Sequence, residues 1–287
     1  MAENQLATQS NPQLAAIQNA LKGANKSIQA ALKENAGTFN TSLMELITSD
    51  QKLMQCNPNL LMAEAVKAAS LKLPLNKQLG YAYLLPFGQT PTLVIGFRGY
   101  LQLAMRTGQY RNINADIVYD GELEYKDKLT GAISLNGVKK DPETVIGYFA
   151  HFETVNGFTK TLYMSLDEMA NYALTYSPTY KNAKQKPSAQ QLMDQAQKQA
   201  QNGPDGGVGW WANFNAMAIK TVLRRLLSKY GYLSIEMQTA LTSDEQPSAE
   251  SIRDKENEAP RIVVPAESVI SEPVKEEQQP EPEAAPI

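Results

Sequence analysis

Lys220, Arg224, Arg225 and Lys229 recur along one run, Gly209 to Tyr230, with Trp210, Asn213, Phe214 and Met217 set among them and no carboxylate between Asp205 and Glu236. Cations hold phosphates and aromatic rings offer flat apolar faces to unpaired bases, so this combination suits a nucleic acid. Turned at 100° per residue, Val222, Leu226, Ile219, Tyr230, Leu223, Ala216 and Leu227 share an arc of roughly 140°, the width of a core-facing stripe. That leaves Lys220, Asn213, Arg224, Arg225 and Lys229 on the opposite half. A merely solvated helix side carries Glu-to-Lys pairs at i,i+4, so a face of one sign points to an anionic partner. The plainer alternative puts Trp210 and Phe214 in the core and the cations in water.

Two further clusters have the same chemistry. Arg98 sits between Gly96 and Gly99, glycines that permit a close approach of backbone to a ligand or serve only a tight turn, with Arg106 and Arg111 following. Lys181, Lys184 and Lys186 stand beside Tyr176 and Tyr180 in a Gln-rich stretch that reads as a clamp or as a solvated loop. The apolar tip Phe87 to Thr92 is either a wedge between base steps or a contact with a neighbouring protomer.

Bond-making chemistry has weaker support. In Asp120-Gly121-Glu122-Leu123-Glu124-Tyr125-Lys126, strand alternation would set Asp120, Glu122, Glu124 and Lys126 on one face, the residue types of a Mg²⁺-dependent nuclease. Charged strand faces are commonly just solvated. His151, the single histidine, lies in an apolar strand-like run and reads as structural. No Gly-x-x-x-x-Gly-Lys-Ser/Thr loop occurs, so ATP-driven chemistry is not expected. A regulator reading duplex sequence through the basic helix is a third possibility, but no helix-turn-helix spacing precedes that helix.

Charge is unevenly distributed. Thr242 to Ile287 holds 12 acidic and 4 basic residues, a net of −8, whereas Met1 to Leu241 carries +5, so the overall −3 hides a mildly basic body. Seven prolines and no aromatic residue in that tail predict a segment without a packed core, residues 241–287, acting as an interaction arm, an electrostatic competitor or a solubility tail. Cys56 is alone, which excludes an internal disulfide framework and a cysteine metal cage and fits a reducing cytoplasm. No apolar run of about 18 residues argues for a membrane span.

The elements that must position these residues are predicted as follows. Residues 1–38 form a helical segment, with modest helices interrupted near Gly23-Ala24-Asn25. Helices follow at Phe39 to Leu53 and Asn59 to Leu73, then a hairpin across Gly80 to Phe97 and a helix at Tyr100 to Arg106. Four strands are expected at Ile113 to Tyr119, Glu122 to Tyr125, Thr144 to Phe152 and Phe158 to Met164, then a short helix, Asp167 to Tyr176, entered at Ser165. Ser177 to Gly209 is polar and reads as a stretch that moves or orders on binding. The sequence predicts an α+β fold: a helical N-terminal part, a β-hairpin plus small antiparallel sheet, a long basic C-terminal helix and an acidic tail, with residues 39–240 as the core.

The motifs Ser49-Asp50-Gln51-Lys52-Leu53-Met54-Gln55-Cys56-Asn57-Pro58, Ala68-Ala69-Ser70-Leu71, Gly80 to Phe87, Ile95 to Gly108 and the Trp210-to-Leu227 helix together resemble the RecT family of phage recombinases over roughly residues 40 to 235. Leu71-Lys72-Leu73 stands where a glycine is common in that family, and Thr107 where serine is common. The resemblance implies ATP-independent annealing of complementary strands: binding of single-stranded DNA and of the annealed duplex, assembly into rings or helical filaments, and a partner exonuclease. It implies no cofactor, with Mg²⁺ at most a modulator, and leaves a host protein as a candidate partner of the tail. On that reading Arg98, Arg106, Arg111, Lys181, Lys184, Lys186, Trp210, Asn213, Lys220, Arg224 and Arg225 are the candidate DNA contacts.

Overall fold

The computed structural model describes residues 12–140, 143–181, 183–206 and 209–243. The expectations for the first residues and for the acidic tail fall outside these ranges.

The fold is α+β. Helix α1 (Pro12–Leu32) packs on α4 (Pro58–Ser70), with α2 (Ala36–Ser49) and α3 (Gln51–Met54) between them in sequence. The break expected at Gly23 is absent, because Ile17 and Ile28, both fully buried, hold the two halves of α1 on one continuous face. The predicted helix from Phe39 to Leu53 is instead split at Asp50, whose carboxylate accepts from the backbone N–H groups of Lys52 and Leu53 and starts α3. Asn57 caps α4 in the same way, with Pro58 in the first turn.

Strands β1 (Ala82–Phe87) and β2 (Thr90–Ile95) form the expected hairpin, and Leu84, Leu93 and Ile95 are fully buried beside α4. Helix α5 (Phe97–Arg106) follows directly. A Cβ on Gly96 would stand 2.1 Å from the Gly80 carbonyl oxygen, and one on Gly99 2.2 Å from that of Tyr81. These glycines therefore let the start of α5 press on the backbone of Gly80 and Tyr81, just before β1, and the close approach is to the protein itself.

The main sheet has the order β3-β6-β7, all antiparallel, from β3 (Tyr110–Tyr119), β6 (Val145–Thr154) and β7 (Thr159–Ser165). A small ladder, β4 (Leu123–Lys126) with β5 (Ile133–Leu135), lies apart from it; β5 is too short and half-exposed to leave a periodic signal. Helix α6 (Leu166–Tyr176) is entered at Ser165, as the sequence predicts, and the structure adds a reciprocal capping box to Glu168.

The polar stretch after Ser177 holds two helices, α7 (Pro178–Lys181) and α8 (Ala189–Asn202). Helix α8 is Gln-rich and buries only Leu192, Ala196 and Gln199, too narrow a stripe to show in the sequence. Helix α9 (Phe214–Tyr230) crosses the β3-β6-β7 sheet and is flanked by α5 and α8, and α10 (Ile235–Ser243) packs on α5 and β2. No helix among the described residues is long and apolar enough to cross a membrane.

Candidate nucleic-acid interface

Helix α9 is more enclosed than its charge pattern suggests. Val222, Leu223, Leu226 and Leu227 are fully buried, as expected, but so are Phe214 and Ala218 on other faces, while Ala216 and Tyr230 are exposed and Ile219 half-buried. Sheet, α5 and α8 surround the helix, so a two-faced reading undercounts its contacts.

The cations of α9 are drawn into this packing. Lys220 is buried, its Nζ 5.9 Å from the Tyr100 ring centre on α5. Arg224 is half-buried and donates to the Leu241 carbonyl at 3.2 Å, tying α10 down. Arg225 lies with its guanidinium carbon 4.7 Å from the centre of Tyr172, and Tyr172 packs on Tyr176 at 4.6 Å. Lys229 is exposed and approaches the Tyr230 ring. The expectation of an open face of one sign is corrected: Lys220 stands inside, and Arg225 leads outward through an aromatic pair.

The helix also starts later than its sequence suggests. Asn213 is its N-cap, with the side-chain oxygen accepting from Ala216 N–H at 2.9 Å, and Trp210 lies in the turn before it. Trp210 is only 7% exposed, packed edge-on against Phe214 at 5.2 Å. Trp211, one residue on, is 47% exposed. Its ring stands nearly perpendicular to that of fully buried Tyr180, centres 4.9 Å apart, and its carbonyl accepts from the Gln195 amide at 2.6 Å. The Gln199 amide reaches the same loop at the Ala212 carbonyl and the Asp205 carboxylate, and accepts from Phe214 N–H at 2.7 Å.

Trp211 shares a groove of about 620 Å³ with Lys186, Pro187, Gln191, Leu192 and Gln195. Lys184 and Lys186 are exposed and enter no ion pair among the described residues; Lys181 is half-buried at the end of α7. The structure thus joins Lys181, Lys184, Lys186 and Trp211 around α7 and the start of α8, and sets Arg225, Tyr172 and Tyr176 at the neighbouring end of α6. The sequence does not single out Tyr172, and it marks Trp211 only beside Trp210 and Phe214 as a ring able to stack on unpaired bases, not as a candidate contact. Tyr172 and Tyr176 at i,i+4 after the Ser165 cap are a legible signal for the pair, whereas nothing in the sequence separates Trp211 from Trp210.

The Arg98 group is not brought together. Arg98 is exposed and reaches the Leu79 carbonyl at 3.4 Å. Arg106 donates to the carbonyls of Leu71 at 2.7 Å and Lys72 at 2.8 Å. Arg111 pairs with Glu153 across β3 and β6 at 2.6 Å.

The carboxylates proposed for a nuclease are dispersed. Asp120 pairs with Lys140 at 3.0 Å, Glu122 accepts from the Tyr119 N–H, Glu124 accepts from Ser134, and Lys126 lies 4.8 Å from the Tyr163 ring centre. Among the described residues no three His, Cys, Asp or Glu side chains converge to hold a metal ion. His151 shares a hydrogen bond with Thr161 Oγ1 across β6 and β7 at 2.8 Å, and burial holds its pKa below the ordinary value against the opposing pull of Glu153.

Comparison with known proteins places this arrangement. The RecT family model matches residues 37–260. The chain belongs to the RecT family. It is 34% identical over 221 residues to the uncharacterized protein YqaK of Bacillus subtilis (strain 168), covering 77% of this chain and 68% of that protein. It is 28% identical over 203 residues to Protein RecT of Escherichia coli (strain K12), covering 68% of this chain and 65% of that protein. The family match takes in the hairpin, the main sheet and the helices α6 to α10, hence all the cations and aromatics described above, while the whole of α1 precedes it.

Proposed function

We propose that this protein binds single-stranded DNA and anneals it to a complementary strand in recombination, without ATP, as an oligomeric ring or filament. Membership of the RecT family is the observation that carries the reading. The surface around α6, α7 and α8 supports it with chemistry suited to an unpaired strand: Lys181, Lys184, Lys186 and Arg225 for phosphates, Tyr176 and Trp211 for bases. Arg98 and Lys229, both exposed, offer further cations apart from that surface. Lys220, Arg106, Asn213 and Trp210 contribute by building the scaffold that presents it.

The mechanism is scaffolding. Cations lower the repulsion between two polyanions, and bound counterions are released as strands are neutralised. Base edges left free by backbone contacts test the incoming strand, and duplex formation supplies the driving free energy. No side chain is asked to make or break a bond. The work takes place in the cytoplasm beside a partner exonuclease, with the acidic segment after Ser243 open to a host protein.

Titration of a labelled single strand at several salt concentrations, with strand length followed on a denaturing gel, tests this reading. Tight binding that weakens steeply with salt and leaves strands uncut supports it. Strands shortened only when Mg²⁺ is present would overturn it in favour of a nuclease.

A further inference from the structure

We propose that Trp211 is a stacking platform for one unpaired base, with Lys186 holding the adjoining phosphate, so that the groove accepts a nucleotide of a single strand and rejects the same nucleotide in duplex. This rests on the single-strand reading above and adds to it a specific subsite with a selectivity.

Four observations carry it. Trp211 leaves nearly half its surface in solvent although its neighbour Trp210 is packed away, so the chain had a buried alternative for an indole and used it one residue earlier. The residue is held in place: Gln195 fixes its backbone by donating to the Trp211 carbonyl at 2.6 Å, and Tyr180, with its hydroxyl unpartnered inside the protein, meets the indole in a perpendicular, edge contact with centres 4.9 Å apart. A platform fixed by folding loses little side-chain freedom on binding. The groove beside it, about 620 Å³, falls in the size range of small-molecule sites and offers one cation, one aromatic face and amide groups.

Those groups match a nucleotide and little else of comparable size in a polyanion. Lys186 provides a point charge for phosphate, and the indole provides a π-face that every base can cover. Stacking engages the face of a base and spares its pairing edge, so the subsite is blind to sequence. It is not blind to pairing: in duplex both faces of a base are already covered by its neighbours. The groove therefore grips a base before pairing and lets it go as the base enters the helix, while cations outside the groove keep their hold on the backbone.

Intrinsic tryptophan emission tests the proposal, with a dT oligonucleotide and a duplex of equal length as probes and wild type, Trp211→Phe and Trp211→Ala as proteins. Wild-type emission is expected to be quenched by the single strand and unchanged by duplex. Trp211→Phe should keep binding within a few-fold while losing most of the quenching, because Trp210 is shielded. Trp211→Ala should bind the single strand about 5- to 150-fold more weakly, the range for loss of one stacked base. Undiminished binding by Trp211→Ala, quenching retained in Trp211→Phe, or equal quenching by duplex would each overturn it. A wild-type protein that binds no single strand at all would sink the single-strand reading itself, an outcome distinct from these.

Discussion

Tyr148 Oη donates to Asn215 Oδ1 over 2.6 Å, joining the middle strand of the main sheet to the first turn of α9. Both residues are buried, and Asn215 uses its amide to reach the Ala196 carbonyl on α8 at 2.9 Å, so one side chain ties sheet, α8 and α9 together. Burial, with a small push from Tyr119, drives the Tyr148 hydroxyl far above its ordinary pKa, and it stays a donor throughout the working range. Tyr148→Phe leaves the Asn215 oxygen without its partner and should cost about 1–3 kcal/mol. Urea unfolding should show a lower midpoint with an unchanged slope.

Lys72 occupies the left-handed region at φ +53° just after α4. A Cβ there costs about 1 kcal/mol, and the turn is held by Arg106, which binds the two carbonyls of Leu71 and Lys72. Lys72→Gly should therefore be neutral or stabilising by up to about 1 kcal/mol, and Arg106→Ala destabilising by about 1–3 kcal/mol. Thermal melts of the two variants check the pair; a Lys72→Gly protein that melts well below wild type would contradict the strain.

His151 gives the fold a pH dependence that can be isolated, since it is the single histidine. Its folded pKa lies below the ordinary 6.5, so between the two values the unfolded chain binds the extra proton. Stability from this group is present above pH of about 6.5 and is lost as pH falls toward the folded value. Asp50 adds its own loss at lower pH: burial raises its pKa, but the Leu53 and Lys52 N–H groups and Lys77 lower it more, and the net is downward from 3.8. In His151→Gln the decline between neutral and mildly acid pH should flatten while the loss near pH of about 4 remains.

Lys184 and Lys186 differ from Lys220 in what they can offer a phosphate, being exposed where Lys220 is buried. Replacing both by Ala should weaken single-strand binding at low salt and reduce the slope of log K against log salt by about 0.7 per lysine, the value for single strands. Melting should be unchanged within about 0.5 kcal/mol, as for surface substitutions. A fluorescence anisotropy titration at four salt concentrations reads both.

Much of what local chemistry decided was legible in the sequence, the Asp50 cap that separates α2 from α3 being the exception. The helix over α4, the entry to α6 at Ser165 and the β1-β2 hairpin all depend on residues a few positions apart, and all stand where they were expected. Helix α8 was missed because its anchors are Gln195, Gln197 and Gln199, whose amides bind backbone of distant segments and carry no hydrophobic period. Lys220 was misplaced for a related reason: its aliphatic stem and the Tyr100 ring make a buried position that charge alone argues against. The order of Trp210 and Trp211 was set by Phe214 and Tyr180, contacts that exist only after folding.

The central claim is tested most directly by the pairing of two complementary labelled oligonucleotides, followed by fluorescence energy transfer, without ATP and with EDTA in place of Mg²⁺. The account predicts pairing markedly faster than the spontaneous rate, with both strands full length afterwards. Pairing no faster than without protein, or acceleration that appears only when ATP is added, would contradict it.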